Sequence, residues 1–363
     1  MTDTLSSNSE PRSGSVTSKG AVASFGYLGA AQFVDGTLML VQMTAVVRFV
    51  SIDDYGRLAA AMTWALFVSR MCDLKSWEVI LVLVPKHLLS GNSVASSSVL
   101  GIALIAESIG AIASFAIVVA LVCPIAFLIQ LDPTLLAILA IGALFRWAEE
   151  PLRAVLRLAE CFSRLAWWRV SISVVRTAVV VGAAWSTQSI VLIAFATTVV
   201  SIISVISLYA VSHSAWEKLC LSPFSASARL QYKSYRPEVL RLLFHTKSIA
   251  FAAEINGRAD LLLLNALSNP STFAIYDLAK RFWSQIHLVT GPLQQVLYPK
   301  LAKEAIASGA ELIIQLKRLT FLIAVCVAVA LPIAYFSIGP VSEALLGEDY
   351  SGVAGPFQRA FVW

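Results

Sequence analysis

Two polar segments of the sequence place charged side chains inside otherwise apolar runs. The first, EINGRADLLLL, starts at Glu254 and ends in four leucines, and the second, YDLAKRF, starts at Tyr276. Their charged residues are Glu254, Arg258, Asp260, Asp277, Lys280 and Arg281. Carboxylates can hold a proton or a small cation, whereas lysine and arginine attract anions, and the planar guanidinium binds phosphate oxygens in pairs. The same groups can instead neutralise one another, because residues three or four apart share a helix face.

The composition of the chain indicates which elements must position these side chains. Of the 363 residues, 58% are hydrophobic and only 13% are charged, and the mean hydropathy is +0.77. A helix needs roughly 20 apolar residues to cross about 30 Å of hydrocarbon. The sequence contains such windows repeatedly, and they are too long and too irregular in alternation for the strands of a membrane barrel. The sequence therefore predicts an all-α polytopic membrane protein.

The hydrophobic windows predict nine membrane spans and the beginning of a tenth near Val341. Their approximate limits are 25–47, 58–84, 99–122, 134–157, 169–186, 189–211, 247–266, 272–298 and 317–338. If the seventh span begins at residue 247, Arg258 and Asp260 lie roughly 16–20 Å deep, close to the middle of the bilayer. Lys280 and Arg281 reach a similar depth in the eighth span. A charge there costs at least about 2.5–3.5 kcal/mol, so we expect these side chains to face protein or water.

Other predicted spans also contain polar side chains. Asp35 lies at about mid-depth in the first span, where its carboxylate can bind a proton or sodium ion for coupling, or hydrogen-bond across the helix bundle. Both interpretations stay open, and Asp35, Asp260 and Glu254 are the candidate coupling residues. Glu107 and Arg176 are single polar positions in the third and fifth spans. The charged residues of the fourth span are Arg146, Glu149, Glu150, Arg153 and Arg157. Their spacing of three or four residues predicts structural ion pairs near a proline kink.

Lysine and arginine concentrate in alternate connections between the spans, and this asymmetry predicts the orientation of the chain. Residues 1–24 are polar and rich in serine, without the apolar core of a signal peptide, so we predict a disordered cytosolic tail and a cytoplasmic amino terminus. The longest hydrophilic connection, 212–246, is basic and is predicted to be a cytosolic linker. It separates six spans in 25–211 from three spans and the start of a fourth in 247–363.

The remaining composition argues against several classes of function. The five cysteines and four histidines are scattered without metal-ligand spacing, and the sequence has no glycine loop of the phosphate-binding type. We therefore expect no metal, no cofactor and no catalytic residue. The net charge of +5 reflects the basic connections between spans and gives no reason to expect a nucleic acid partner. Membrane lipid is the partner that the composition itself implies.

Several segments resemble the polysaccharide (O-antigen-type oligosaccharide) flippases of the multidrug/oligosaccharidyl-lipid/polysaccharide exporter superfamily. In order along the chain, these segments are DDYGRLA, DLKSWEV, RADLLLLNALSNPSTFAIYDLAKRF, PLQQVLYPKLAKE and LLGEDYSGVAG. The similarity extends from about Phe25 to the end of the chain. It rests on the order of the segments and on the hydropathy, since none of them is an invariant catalytic motif.

The resemblance implies a specific architecture and activity. Members of this family have two six-helix bundles around a central cavity, which here correspond to a complete amino-terminal bundle and a partial carboxy-terminal bundle. They move a polyprenyl-diphosphate-linked oligosaccharide across the bacterial inner membrane by alternating access, for surface polysaccharide export. Arg258, Arg281 and Lys280 are then expected to bind the diphosphate. Other polysaccharide-assembly membrane proteins are further candidate partners.

The number of spans departs from this family pattern. Members usually have at least twelve spans, whereas this sequence ends at Trp363 within the tenth. The resemblance therefore predicts a fragment, a truncated gene or a short form that pairs with a second copy. Two other functions stay open. A membrane glycan polymerase or ligase would normally carry a large external loop with charged clusters, and the predicted external loops are short. A non-functional remnant of a flippase is the second alternative.

Overall fold

A computed structural model describes residues 18–129 and 131–285 of the chain, together with seven separate helical positions between 317 and 332. All secondary structure in these described residues is helical. The predicted tail up to residue 17, the end of the eighth span, the ninth span apart from those single positions, and the start of the tenth lie outside the described residues.

The structure contains ten α-helices within residues 18–285. They are α1 Ser18–Phe49, α2 Ile52–Cys72, α3 Ser76–Leu89, α4 Ser93–Ile129, α5 Pro133–Phe145, α6 Glu149–Leu158, α7 Phe162–Thr187, α8 Ile190–Lys218, α9 Ala226–Leu267 and α10 Pro270–Gln285. Within the described part of the chain, four stretches are long and apolar enough to cross a membrane, namely Gly26–Phe49, Ser93–Ala120, Phe162–Thr187 and Ile190–Lys218. The chain is thus an all-α polytopic membrane protein, and this part of the sequence prediction is confirmed.

Two predicted spans are each built from two helices. The second span, predicted over 58–84, is divided between α2 and α3, because Asp73 leaves the helical conformation and Lys75 adopts a left-handed one with φ of 56°. The backbone N–H groups of Leu74 and Ser76 donate to the Glu107 carboxylate of α4, at 3.2 and 2.9 Å. The fourth span, predicted over 134–157, is divided between α5 and α6 by the 3-10 turn Arg146–Ala148.

The predicted linker 212–246 is helical over most of its length. Helix α8 continues to Lys218, and α9 begins at Ala226 and runs without interruption into the seventh span. The hydroxyl of Ser225 caps α9 by accepting the backbone N–H of Ala228 at 3.3 Å. Val239 and Leu243, four residues apart, are buried on one face of this helix, so tertiary packing stabilises a segment that looked hydrophilic as a whole. Helix α1 likewise begins at Ser18, before the predicted limit of the tail.

Helix packing forms two clusters of buried apolar residues. One cluster lies around Leu135 and Phe273 and joins α2, α5 and α10, and the other lies around Leu100 and Val239 and joins α3, α4, α6 and α9. Helix α1 packs along α7. Close approaches use small residues, as is usual between membrane helices. A Cβ atom at Gly56 of α2 would collide with the backbone carbonyl of the residue that begins α10.

Candidate functional site

Asp35 lies between α1 and α7 and has two arginine partners. Its Oδ1 atom accepts a hydrogen bond from Arg176 Nη2 at 2.8 Å and a second one from the hydroxyl of Ser173, while Oδ2 lies 3.6 Å from Arg169 Nε. Positions 169, 173 and 176 follow the i, i+4, i+7 spacing that aligns side chains on one face of α7. The structure therefore joins Asp35 and Arg176, which the sequence presented as two isolated polar positions.

The charges of the EINGRADLLLL segment divide between the two sides of α9. Arg258 Nε donates to Glu254 Oε1 at 2.7 Å within the helix. Asp260 instead faces α10, where Lys280 Nζ lies 2.6 Å from Oδ1 and 2.8 Å from Oδ2. The hydroxyl of Tyr276 donates to Asp260 Oδ2 at 2.6 Å, and Lys280 also donates to the carbonyl of Gly257 at 2.7 Å. The link between Asp260 and Lys280 therefore connects two adjacent antiparallel helices.

Arg281 belongs to a third cluster, between α10 and α2. Its Nε atom lies 2.6 Å from Asp277 Oδ2, and the hydroxyl of Tyr55 donates to the same oxygen at 3.2 Å. Asp277 is only 3% exposed. On the neighbouring helix pair, Trp64 of α2 donates its indole N–H to Asn265 of α9 at 2.8 Å. Polar contacts thus connect α2 to both α9 and α10.

The sequence analysis proposed six charged residues for binding or coupling, and each of them is held in an ion pair. These residues are Arg258, Lys280, Arg281, Asp35, Asp260 and Glu254. Arg258 pairs with Glu254, Lys280 with Asp260, Arg281 with Asp277, and Asp35 with Arg176. The structure brings Asp260 and Lys280 together from different helices, whereas Asp35 lies on α1 apart from the α9–α10 pairs. These arrangements match the interpretation in which intramembrane charges neutralise one another, and they leave the predicted binding and coupling roles as predictions.

A cavity with several charged residues in its lining lies between α2, α4, α5 and α6. It contains about 620 Å³ of space free of protein atoms, part of it open to the outside. Its charged lining residues are Arg70, Asp73, Glu107, Arg146, Glu149 and Glu150. They come from segments far apart in the sequence, so periodicity within one span could not reveal the cavity. The signal present in the sequence was the charged DLK break within the second span.

Ion pairs organise one wall of this cavity. Arg153 Nη2 lies 2.9 Å from Glu149 and Nη1 lies 3.0 Å from Glu150, which confirms the pairing predicted within the fourth span. Ser204 of α8 donates to Glu149 at 2.9 Å, and the Arg153 guanidinium lies 5.2 Å from the ring centre of Trp168 on α7. Among the described residues, no group of three His, Cys, Asp or Glu side chains could hold a metal ion.

Comparisons with known proteins identify the architecture. No family model matches the chain, and no curated protein matches it. The crystal structure of the eukaryotic MATE transporter AtDTX14 is similar, with a TM-score of 0.57 and 13% sequence identity over 93% of this chain and 77% of that one. The two proteins share a fold. The expected helical membrane fold is thus confirmed, while the polysaccharide flippase family and its superfamily stay predictions.

Proposed function

We propose that this protein is a membrane transporter that moves its cargo by alternating access between two helical bundles. The observation that carries this proposal is the fold shared with a MATE transporter over 93% of the chain. Fold alone does not fix function, which resides in the site that the fold carries. The paired charges at the α2–α10 and α9–α10 contacts, together with the polar cavity, supply intramembrane ionisable groups of the kind that mark transport pathways.

The cargo that we propose is a polyprenyl-diphosphate-linked oligosaccharide of a bacterial inner membrane. This choice is supported by the order of the polysaccharide-type segments in the sequence. Arg258, Lys280 and Arg281 are the cations that would bind the diphosphate. Because each of them is paired with a carboxylate, diphosphate binding would require its oxygens to replace Glu254, Asp260 or Asp277 as the partner. Arginine suits this exchange, because its planar guanidinium can make two parallel hydrogen bonds to phosphate oxygens.

The pairing also favours a second candidate cargo. With their carboxylate partners in place, the three cations present compensated charge, which suits a neutral or zwitterionic molecule better than an anion. In this case the ion pairs stay intact during transport, and the cations contribute to packing of α2, α9 and α10. The two cargoes differ in what binding requires. The diphosphate cargo requires a cation that has left its carboxylate partner, whereas the neutral cargo does not.

The experiment measures lipid-linked oligosaccharide on the cytosolic leaflet of cells that lack this gene, with and without the 363-residue chain. We expect accumulation without the chain and relief when the chain is restored. No accumulation would reject the oligosaccharide cargo, and accumulation of flipped but unpolymerised oligosaccharide would indicate a polymerase or ligase.

Variants of the α2–α10 pair test the role of Arg281. The double variant Asp277→Asn with Arg281→Gln removes both charges without leaving the buried carboxylate unpaired. We expect it to stay in the membrane and to lose export, as expected also for Arg281→Ala. Arg57→Gln is the matched control, because Arg57 is an exposed arginine of α2 whose nearest carboxylate, on Asp54, is 3.9 Å away. Export by the double variant at the level of the control would favour the neutral cargo.

A further inference from the structure

The first half of α9 exposes a stripe of side chains that changes from basic to apolar along the helix. Arg229, Lys233 and Arg236 are exposed and follow the spacing i, i+4, i+7. The stripe continues with Leu240 and Phe244, which are 41% and 77% exposed. Such a change on one face is what a helix shows where it passes from headgroups into hydrocarbon.

The length of α9 places this change at one surface of the bilayer. The helix has 42 residues, which corresponds to about 63 Å, whereas a bilayer with its headgroups is about 40–45 Å thick. From Arg236 to the last residue of the helix, Leu267, the distance is about 46 Å. The basic part of the stripe therefore lies at headgroup level or just outside it. Leu240 and Phe244 then lie at the boundary of the hydrocarbon.

The two most exposed tryptophans of α7 give an independent measure of the membrane thickness. Trp167 and Trp185 are 69% and 72% exposed. They are separated by about 27 Å along the helix, close to the hydrocarbon thickness of about 30 Å. Indole rings favour the two membrane surfaces. The apolar stretch between the tryptophans is therefore as long as the membrane interior that α9 must also cross.

No carboxylate within the exposed part of α9 between Ala226 and Thr246 compensates the basic stripe. The acidic residue in this segment, Glu238, is half-buried and lies 2.7 Å from Lys86 of α3. Arg241 adds a further exposed cation beside the stripe. Residues 286–363, which follow α10, include five acidic and five basic residues. This segment therefore has no net negative charge that could compensate the basic stripe. The complementary partner is therefore an anionic surface.

We propose that the stripe Arg229, Lys233 and Arg236 binds the headgroups of anionic phospholipids at the surface of the membrane. The apolar continuation at Leu240 and Phe244 contacts the acyl chains of the same lipids. The basic end of the stripe attracts the phosphate groups. The strength of this attraction increases with the number of lysine and arginine side chains near the membrane surface, and salt screens it. This inference depends on the membrane fold and not on the proposed cargo.

The test uses the purified 363-residue chain in mixed micelles that contain equal amounts of phosphatidylglycerol and phosphatidylcholine. The lipids retained after washing with detergent are identified and counted. We expect phosphatidylglycerol to be enriched over phosphatidylcholine. Each charge removed in Arg229→Gln, Lys233→Gln and Arg236→Gln is expected to lower the enrichment about fivefold. The charge-preserving variant Arg229→Lys with Arg236→Lys is expected to retain most of it.

Two further measurements separate a loss of lipid binding from a loss of protein stability in the variants. Arg57→Gln removes one exposed arginine at the other end of the membrane-spanning region and is compared with Arg236→Gln alone. Raising the salt concentration is expected to reduce the enrichment in the unmodified chain, since exposed charges are screened within about 10 Å at 0.1 M. Equal retention of the two lipids, salt-independent enrichment, or unchanged enrichment in the triple glutamine variant would each overturn the proposal. The first result would indicate that another part of the protein covers the stripe.

Discussion

Asp277 is the least accessible of the carboxylates that pair with the candidate cations. Its neighbours are the guanidinium of Arg281 on the same helix and the hydroxyl of Tyr55 on α2. A buried ion pair contributes little net stability compared with an apolar pair, yet loss of one partner leaves an uncompensated buried charge. Asp277 therefore links the ion pair within α10 to Tyr55 of α2, and this arrangement depends on both charged members.

Arg281→Met is expected to lower the free energy of unfolding by about 3–5 kcal/mol, because it leaves the Asp277 carboxylate without its cation. Addition of Asp277→Asn to this variant is expected to restore most of the loss. Thermal unfolding in detergent measures both effects as a double-mutant cycle. Equal stability of the single and double variants would show that the two side chains are not coupled.

The proposed coupling role of Asp35 leads to a prediction about transport. Asp35→Asn removes the acceptor charge that faces Arg176 and Arg169. If Asp35 binds the coupling ion, the variant is expected to lose accumulation of cargo driven by a proton or sodium gradient, while exchange of cargo without a gradient continues. Reconstituted vesicles measure the two activities separately. Gradient-driven accumulation at the unmodified level would remove Asp35 from coupling.

At the scale of the elements, the sequence predicts the long helices better than their interruptions. The sequence predicts a helix over 247–266, and the structure has a continuous helix there that ends at Leu267. The break between α2 and α3 could not be placed in the same way. The Glu107 carboxylate that accepts the freed backbone N–H groups comes from another helix. The pair of Asp35 with Arg176 depends equally on a contact between distant segments, which local periodicity does not contain.

The break between α2 and α3 gives an element-scale prediction. Glu107→Ala leaves the N–H groups of Leu74 and Ser76 without their acceptor, and each unsatisfied buried group costs about 1–3 kcal/mol. We expect a clear loss of thermal stability and a smaller loss for Glu107→Gln, which keeps one acceptor oxygen. Unfolding measured by near-ultraviolet circular dichroism in detergent compares the variants. Equal stability of the alanine variant and the unmodified chain would show that the break needs no support from α4.

The close approach of α2 to α10 gives a second prediction at this scale. Gly56→Ala places a Cβ atom against the backbone carbonyl of Pro270, which cannot move aside as a side chain would. We expect the two helices to separate and the melting temperature to fall. Gly182→Ala on α7 is the matched control, because nothing lies within 4 Å of its added Cβ and alanine favours the helix by up to about 1 kcal/mol. A fall of the same size in both variants would contradict the packing explanation.

At the scale of the whole molecule, the distribution of lysine and arginine predicts the orientation of the chain. The basic stripe of α9 and the turn that contains Asp132 lie at opposite ends of the helices that pack together as α4 and α9. Reporter domains fused after Asp132 and after Lys233 are expected to lie outside the cell and in the cytosol, respectively, because basic residues near span ends are retained in the cytoplasm. An enzymatic reporter active only outside the membrane, paired with one active only in the cytosol, measures both positions. The reverse pattern would place the basic stripe of α9 on the outer leaflet and overturn the predicted cytoplasmic amino terminus.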